Sequence, residues 1–171
     1  MRKIKLNKAT FIYYYLRLVK EKGTPEYVAK GWATGVFVGF LVPVGFQLVI
    51  AIPLAFLVKG SKIGATVGTF ISNNFTIIVL YPLQCWIGSY ILANPLSFSK
   101  IKSDMANLFK EPCYSSLLSL GSELIASFFV GGIFLAAIFT PISYFVVKWF
   151  IIKHRHNVEL RKMRKIKKQE F

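Results

Sequence analysis

The sequence predicts an all-α integral membrane protein: a tandem repeat of two broken or re-entrant membrane helices, closed by one transmembrane helix and flanked by interfacial amphipathic helices. Three observations carry that expectation. Hydrophobic types make up 54% of the 171 residues, and stretches 31–58, 63–99 and 124–147 hold no charged side chain. Uncharged apolar runs of about 18 residues or more are membrane-span candidates, because a water-soluble helix of that length needs a polar face. A shift of 29 positions lays Lys30, Gly31, Gly35, Val38, Gly39, Phe46, Pro53 and Leu54 on Lys59, Gly60, Gly64, Val67, Gly68, Phe75, Pro82 and Leu83. Repeated, interrupted apolar segments are how many transporters build a site at membrane depth. Lastly, the formal charge of +15 is set in the flanks. Residues 1–30 carry eight basic and two acidic side chains and residues 148–171 carry nine and two, whereas 93–123 carries three of each.

Basic flanks are retained in the cytoplasm, so both termini are expected inside and the neutral 93–123 connection outside. The same flanks make anionic lipid head groups an expected partner, at roughly 1 kcal/mol per basic residue near the surface. Nucleic acid is not an expected partner. The basic residues border apolar spans, and no nucleic-acid motif accompanies them.

The elements follow in order. Residues 1–23 form a basic interfacial helix, with Phe11, Ile12, Tyr15, Leu16 and Val19 on one face and Lys8, Arg17, Lys20 and Lys22 around them. The triple tyrosine 13–15 is read as an interface anchor, and no small-residue cleavage site makes the segment a signal peptide. Thr24-Pro25-Glu26 then supplies an N-cap, a proline suited to the first turn and an acid near the positive helix end. Residues 24–92 form the two-unit membrane domain. As one straight helix, 31–58 would be about 42 Å long against a hydrocarbon core of about 30 Å. Pro43-Val44-Gly45 therefore predicts a bend or a reversal, and Ser72-Asn73-Asn74 offers the same choice in the second unit. Gly31, Gly35 and Gly39, and again Gly60, Gly64 and Gly68, recur every fourth residue, a spacing that lets helix backbones approach closely. These glycines are expected to pack the units on each other or on a second copy of the chain.

Residues 93–115 form an amphipathic connection, with Phe98, Ile101, Met105 and Leu108 on one face. The closing span covers 116–152 and ends in Lys148, Trp149 and Lys153, an aromatic belt and a basic stop. Residues 153–171 are a basic cytoplasmic tail. Parity leaves two alternatives. With both ends inside and one closing span, 31–92 must cross an odd number of times, so one unit spans while the other is a hairpin, or Gly131-Gly132 splits the last segment.

The candidate substrate-binding residues are Pro43, Gly45, Gln47, Asn73, Asn74 and Thr76. Gln47 and Thr76 hold matching places, each just after a shared phenylalanine. Unsatisfied polar groups in hydrocarbon cost several kcal/mol, so broken backbone at that depth must face protein or a watery cavity. The breaks either line one site, where backbone N–H groups at half-helix starts attract an anion, or their side chains satisfy the broken backbone and lock two helices together. Glu123 is read as an interfacial acid and Gln84 as a packing contact. No metal site is expected, since His154 and His156 stand two apart in a basic tail. Cys85 and Cys113 make no paired motif. With no H-E-x-x-H, G-x-S-x-G or P-loop pattern, neither an enzyme nor a cofactor is expected.

Thr24-Pro25 followed by Ala29, Gly31, Ala33, Gly35, Phe37, Gly39, Pro43, Gly45 and Gln47 resembles the first motif of a bacterial membrane family known as domain of unknown function 2062. Gly68-Thr69, Ile71, Asn73, Thr76, Tyr81 and Gly88 resemble its second motif. The likeness covers residues 11–92 and extends weakly to the last span. The family's usual Asn-Pro-x-Thr stands here as Asn73-Asn74-Phe75-Thr76, so no proline enforces the second break. The resemblance implies a bacterial inner-membrane protein, and the fusion of some relatives to glycosyltransferase-like domains implies lipid-linked sugars or their carriers. Two functions are expected from different classes. One is a transporter or flippase-like carrier of a small or lipid-linked anion. The other is a non-transporting scaffold or partner subunit for a lipid-linked glycan enzyme. Either works as a homo-oligomer or beside a partner membrane protein, because so few spans enclose little alone.

Overall fold

Thr24 and Pro25 set the start of the first helix. In a computed structural model, which describes residues 21, 23–73, 75–99, 101, 103 and 121–167, the Thr24 hydroxyl accepts the Tyr27 N–H at 3.1 Å, and Pro25 takes the first helical position. Helix α1 (Pro25–Leu41) is followed by α2 (Gln47–Leu57), α3 (Lys62–Gly68), a 3-10 turn (Thr69–Ile71), α4 (Ile77–Ile91) and α5 (Gly121–Lys167). The regular structure among the described residues is helical throughout. The interfacial helix expected over 1–23, and most of the 93–115 connection, fall outside the described residues.

Side chains and a left-handed residue close the remaining ends. Ser61 caps α3 by accepting the Gly64 N–H at 2.7 Å while donating its own hydroxyl proton to Glu21. Helix α2 ends in a left-handed Lys59 (φ 52°), with Lys59 N–H to Phe56 O at 3.0 Å and Gly60 N–H to Ala55 O at 2.8 Å. Helix α4 ends the same way in Ala93 (φ 54°), with Ala93 N–H to Tyr90 O at 3.1 Å and Asn94 N–H to Ser89 O at 3.0 Å. Both are Schellman closures that usually employ glycine.

Of the two geometries open to the first apolar run, the chain adopts the reversal. Val38 of α1 packs on Ala51 and Ala55 of α2, so α2 returns along α1. Helix α3 then runs beside α1 in the same direction, because Gly31, Gly35 and Gly39 meet Ser61, Ala65 and Ile71 in that order. Helix α4 returns again, with Tyr81 reaching Val44 and Gln84 reaching Phe40. The result is two helical hairpins whose turns lie at one end, 42–46 and 72–76, and whose open ends carry Lys30, Lys59 and Lys62.

Helix α5 holds the hairpins together. Val28 meets Ile151, and Val36 and Phe40 meet Leu135 and Ala136, so α5 runs opposite to α1. On α4 the contact is closer still. A Cβ on Gly88 would fall 1.8 Å from Ser127 O, and one on Gly131 would fall 1.9 Å from Gln84 O. This corrects the alternative in which Gly131-Gly132 divides the last segment, for α5 is one continuous helix through both glycines. Their lack of side chains serves a close crossing and not a break. The helix also continues past residue 153, where a tail was expected, and Arg155 donates to Gly23 O at 2.5 Å and Glu21 O at 2.9 Å.

Within α5, Ser122–Leu160 is long and apolar enough to cross a membrane, and an 18-residue stretch of it reaches a mean hydropathy of 2.2. Large apolar side chains are exposed on every helix longer than ten residues, among them Phe37, Val49, Phe56, Val79, Ile133 and Phe145. Far more apolar surface faces outward here than a water-soluble monomer usually tolerates.

Three substitutions test these contacts, two of them destabilising and one stabilising. Gly35→Ala places a Cβ 2.1 Å from the Ala65 carbonyl oxygen. It should destabilise the protein by about 3 kcal/mol or more, because backbone lies on both sides and cannot give way. Gly39→Ala meets the end of the Ile71 side chain at 2.9 Å and should cost less. Ala93→Gly relieves a left-handed residue and should stabilise by about 1 kcal/mol. Thermal unfolding in detergent reads all three, and equal losses at Gly35 and Gly39 would contradict the rigid crossing.

Candidate functional site

The two helix breaks meet in space, and one amide joins them. At the first break Val42 turns extended and gives its N–H to Val38 O at 2.9 Å, after which Pro43 has no N–H to offer. Gly45 adopts φ +112°, a conformation that side-chain-bearing residues rarely reach, with open space around it. The chain is thereby free to reverse and start α2 at Gln47. The Gln47 side chain is buried. Its Nε2 donates to Val42 O at 2.7 Å and to Ser72 Oγ at 2.8 Å, with Gly39 O at 3.4 Å. That orientation follows from its partners, since a carbonyl oxygen only accepts. One further backbone donor of the break, Val44 N–H, is taken by the Tyr81 hydroxyl at 3.0 Å.

The second break forms without a proline. Asn73 Oδ1 accepts the N–H groups of Phe75 and Thr76 at 2.9 and 3.1 Å, and its Nδ2 donates to Phe70 O at 3.2 Å. Thr76 Oγ1 accepts the Asn73 N–H and donates to Ile71 O, both at 2.8 Å. Such side-chain bonds compete with the helical ladder and favour turns over helix interiors. They stop the helix that the missing proline would otherwise have stopped. Ser72 then offers its Oγ to Gln47 across the gap.

The predicted residues therefore divide. Gln47 is buried where the breaks touch, while Asn73 and Thr76 shape the second break from within it. Pro43 and Gly45 lie on the exposed turn of the first hairpin, beside Phe46 at 69% exposure; Phe75 at the second turn is 75% exposed. Asn74 lies outside the described residues. All six glycines, Gly31, Gly35, Gly39, Gly60, Gly64 and Gly68, line the contact of α1 with α3 and its connecting turn.

Gln84, expected as a packing contact, is a second buried amide. It is wholly buried, and its Nε2 donates to Phe40 O and to Phe128 O, each at 2.9 Å. It ties α1, α4 and α5 at one point, above the Gly88–Gly131 contact. Its Oε1 is buried without a hydrogen-bond partner among the described residues. The legible signal was an amide in the middle of an uncharged run, where polar groups are costly unless bonded.

Charge gathers at the opposite end from the breaks. Glu26 and Lys148 pair at 2.9 Å. The hydrogen bond to Lys148, reinforced by its charge, holds the Glu26 carboxyl below the usual carboxylate range. Glu26 is exposed and Lys148 partly so, and the tie is therefore weak. Among the described residues no three His, Cys, Asp or Glu side chains gather as a metal site requires.

The sequence profile of the bacterial family described as "Uncharacterized protein conserved in bacteria (DUF2062)" matches residues 8–159. No curated protein and no solved structure matches the chain.

The joint between the hairpins is measurable. Gln47→Leu leaves Val42 O and Ser72 Oγ without their shared donor and should cost about 1–3 kcal/mol. In a double-mutant cycle with Ser72→Ala, the coupling should be about 0.5–3 kcal/mol, read from thermal or denaturant unfolding. Strict additivity would mean that the two breaks do not interact. For Glu26 the sign follows from its lowered pKa. Its contribution is complete above about 4.5, the unfolded value, and disappears as pH falls through the lower folded value, a loss that Glu26→Gln should abolish.

Proposed function

The chain belongs to the bacterial family DUF2062, and from that membership and the architecture above we propose a multi-pass inner-membrane carrier of a small or lipid-linked anion. In this reading the two hairpins are tandem re-entrant units that dip from the cytoplasmic side, and α5 is the closing transmembrane helix. Both termini are cytoplasmic, and the basic end, with Lys30, Lys59, Lys62 and Lys148, lies against anionic head groups.

The observation that carries the proposal is the polarity of the fold. The hairpin turns present Phe46 and Phe75 outward, while the lysines gather at the other end. An apolar tip is unfavourable in water and favourable in lipid. From Gly132, beside the Phe40 carbonyl, to Lys148, α5 rises about 24 Å at 1.5 Å per residue. The turns would therefore sit deep in a hydrocarbon core of about 30 Å. Each unit returns to the side it left, so in this reading cytoplasmic termini require a second crossing between Leu92 and α5, in a segment that lies mostly outside the described residues.

In the carrier, Gln47, Ser72, Asn73 and Thr76 are the joint between two units that move against each other. Pro43 and Gly45 are its flexible turn. A second reading has a specific observation in its favour. Gln47 and Asn73 spend their donors on the broken backbone itself, as they would in a scaffold that docks a lipid-linked glycan enzyme and transports nothing. In either case a second copy or a partner membrane protein would complete the assembly.

One measurement tests the topology and a second separates the two readings. With Cys85 and Cys113 replaced, single cysteines at Lys59 and His156 should react with a polar thiol reagent from the cytoplasmic side alone. Cysteines at Phe46 and Phe75 should stay protected. Labelling of Phe46→Cys from the outer face would place a full crossing in the first unit. In proteoliposomes, the wild-type chain should speed exchange of an anionic lipid-linked sugar between leaflets relative to protein-free vesicles. Gln47→Leu should slow that exchange while the chain still assembles. No acceleration by the intact protein would favour the scaffold.

A further inference from the structure

A groove of about 750 Å³ runs between α1, α2 and α5, lined by Lys30, Phe37, Leu54, Val58, Tyr144 and Phe145 among others. That volume lies within the usual range for small-molecule sites, about 300–1,000 Å³. Its walls are aromatic and aliphatic, and the lining cation, Lys30, stands at the basic end of the fold. A second lysine directly follows a lining residue in the chain. Val58 lines the groove, and Gly60 is pressed on α1, where a Cβ would fall 2.7 Å from Gly31 N and 3.1 Å from the Lys30 carbonyl carbon. Lys59, between those two residues, is fixed in the left-handed conformation at φ 52°. Nearby, Glu26 is engaged by Lys148 at 2.9 Å, which leaves Lys30 and Lys59 as the net charge at this mouth.

We propose that this groove binds one phosphate-headed lipid of the bilayer, with its hydrocarbon chain along Phe37, Leu54 and Phe145 and its phosphate at Lys30 and Lys59. The assignment rests on the membrane reading above. The occupant follows from complementarity, because a single anionic head on an apolar chain matches a largely apolar trough with Lys30 at one end and Lys59 next to its wall. A soluble phosphate would leave the trough empty, and a zwitterionic head would leave the lysines partly uncompensated. The hairpin closure at Lys59 thereby acquires a role: a left-handed turn that a glycine would relieve keeps a basic residue next to Val58 of the groove wall.

Native mass spectrometry of the full-length protein in detergent tests this, with phosphatidylglycerol and phosphatidylcholine of equal chain length as probes. The wild-type chain should retain one phosphatidylglycerol at concentrations where phosphatidylcholine is lost. Lys30→Gln with Lys59→Gln should weaken retention roughly 30-fold, the effect of two basic contacts near a surface. Val58→Trp, at a half-exposed wall position, should abolish retention by filling the trough without disturbing the core. Lys62→Gln, which removes one charge from a lysine stacked 3.7 Å over the Phe56 ring, should leave retention unchanged. Weakening of about 5-fold by Lys62→Gln, the effect of any one basic residue near a surface, would reduce the effect to general surface charge and overturn the site. Retention that survives Val58→Trp, or that millimolar inorganic phosphate displaces, would overturn it as well. Cysteine labelling that reports another topology would sink the membrane reading yet leave this binding result standing, so the two failures are distinguishable.

Discussion

Everything else in the core depends on how closely α1 and α3 approach. Added Cβ atoms on Gly31 and Gly35 would lie 2.1 Å from the carbonyl oxygens of Ser61 and Ala65, and one on Gly68 would lie 2.3 Å from Trp32 O. At such separations backbone packs directly on backbone, and dispersion gained over many atom pairs replaces side-chain interdigitation. The crossing also sets register. It brings Ser61 N–H to Tyr27 O at 2.9 Å at one end and Gly39 to Ser72 at the other. Only because Gly39 and Ser72 are neighbours can Gln47 reach both breaks.

Buried amides then fasten what the glycines bring together. Gln47 joins the two hairpin turns, and Gln84 joins α1 and α4 to α5. Each supplies donors to carbonyl oxygens in apolar surroundings, where a bond is electrostatically stronger than in water and an unpaired group is costly. Asn73 performs a related task over a shorter range by capping its own break. The close Gly88–Gly131 contact gives α5 the same kind of seat on α4 that α3 has on α1. Glycine seats and amide fasteners thus recur at both helix layers, although the second pair has no counterpart in the 29-residue pattern.

The surface has its own asymmetry. Cations cluster where the hairpins open and where α5 passes Lys148 and Arg155, whereas phenylalanines tip the turns at the other end. In the proposed membrane setting the same asymmetry orients the chain and places Lys30 and Lys59 at head-group level. Polar atoms at the breaks serve the backbone, and the unfilled apolar space lies along α1, α2 and α5. Gating and binding would then belong to different parts of one small fold, coupled through α1, which contributes to both.

By itself the sequence determined the helical class, the cap at Thr24-Pro25, the positions of both breaks and the glycine stripes. Each is written locally, in uncharged runs, in a missing backbone donor or in a four-residue spacing. It also carried the family, through motifs spread over both units. Whether the first run would bend or reverse was beyond it, because Pro43 and Gly45 permit either and the contact of Val38 with Ala51 and Ala55 decides. Nor could a four-residue spacing say which surface the glycines face, since that depends on what lies across from them. Gly131-Gly132 reads as a weak point in one dimension and becomes a seat for α4 in three. The groove was illegible for the same reason: its walls come from residues more than a hundred positions apart, and only the return of α5 along α1 brings Phe145 to Lys30.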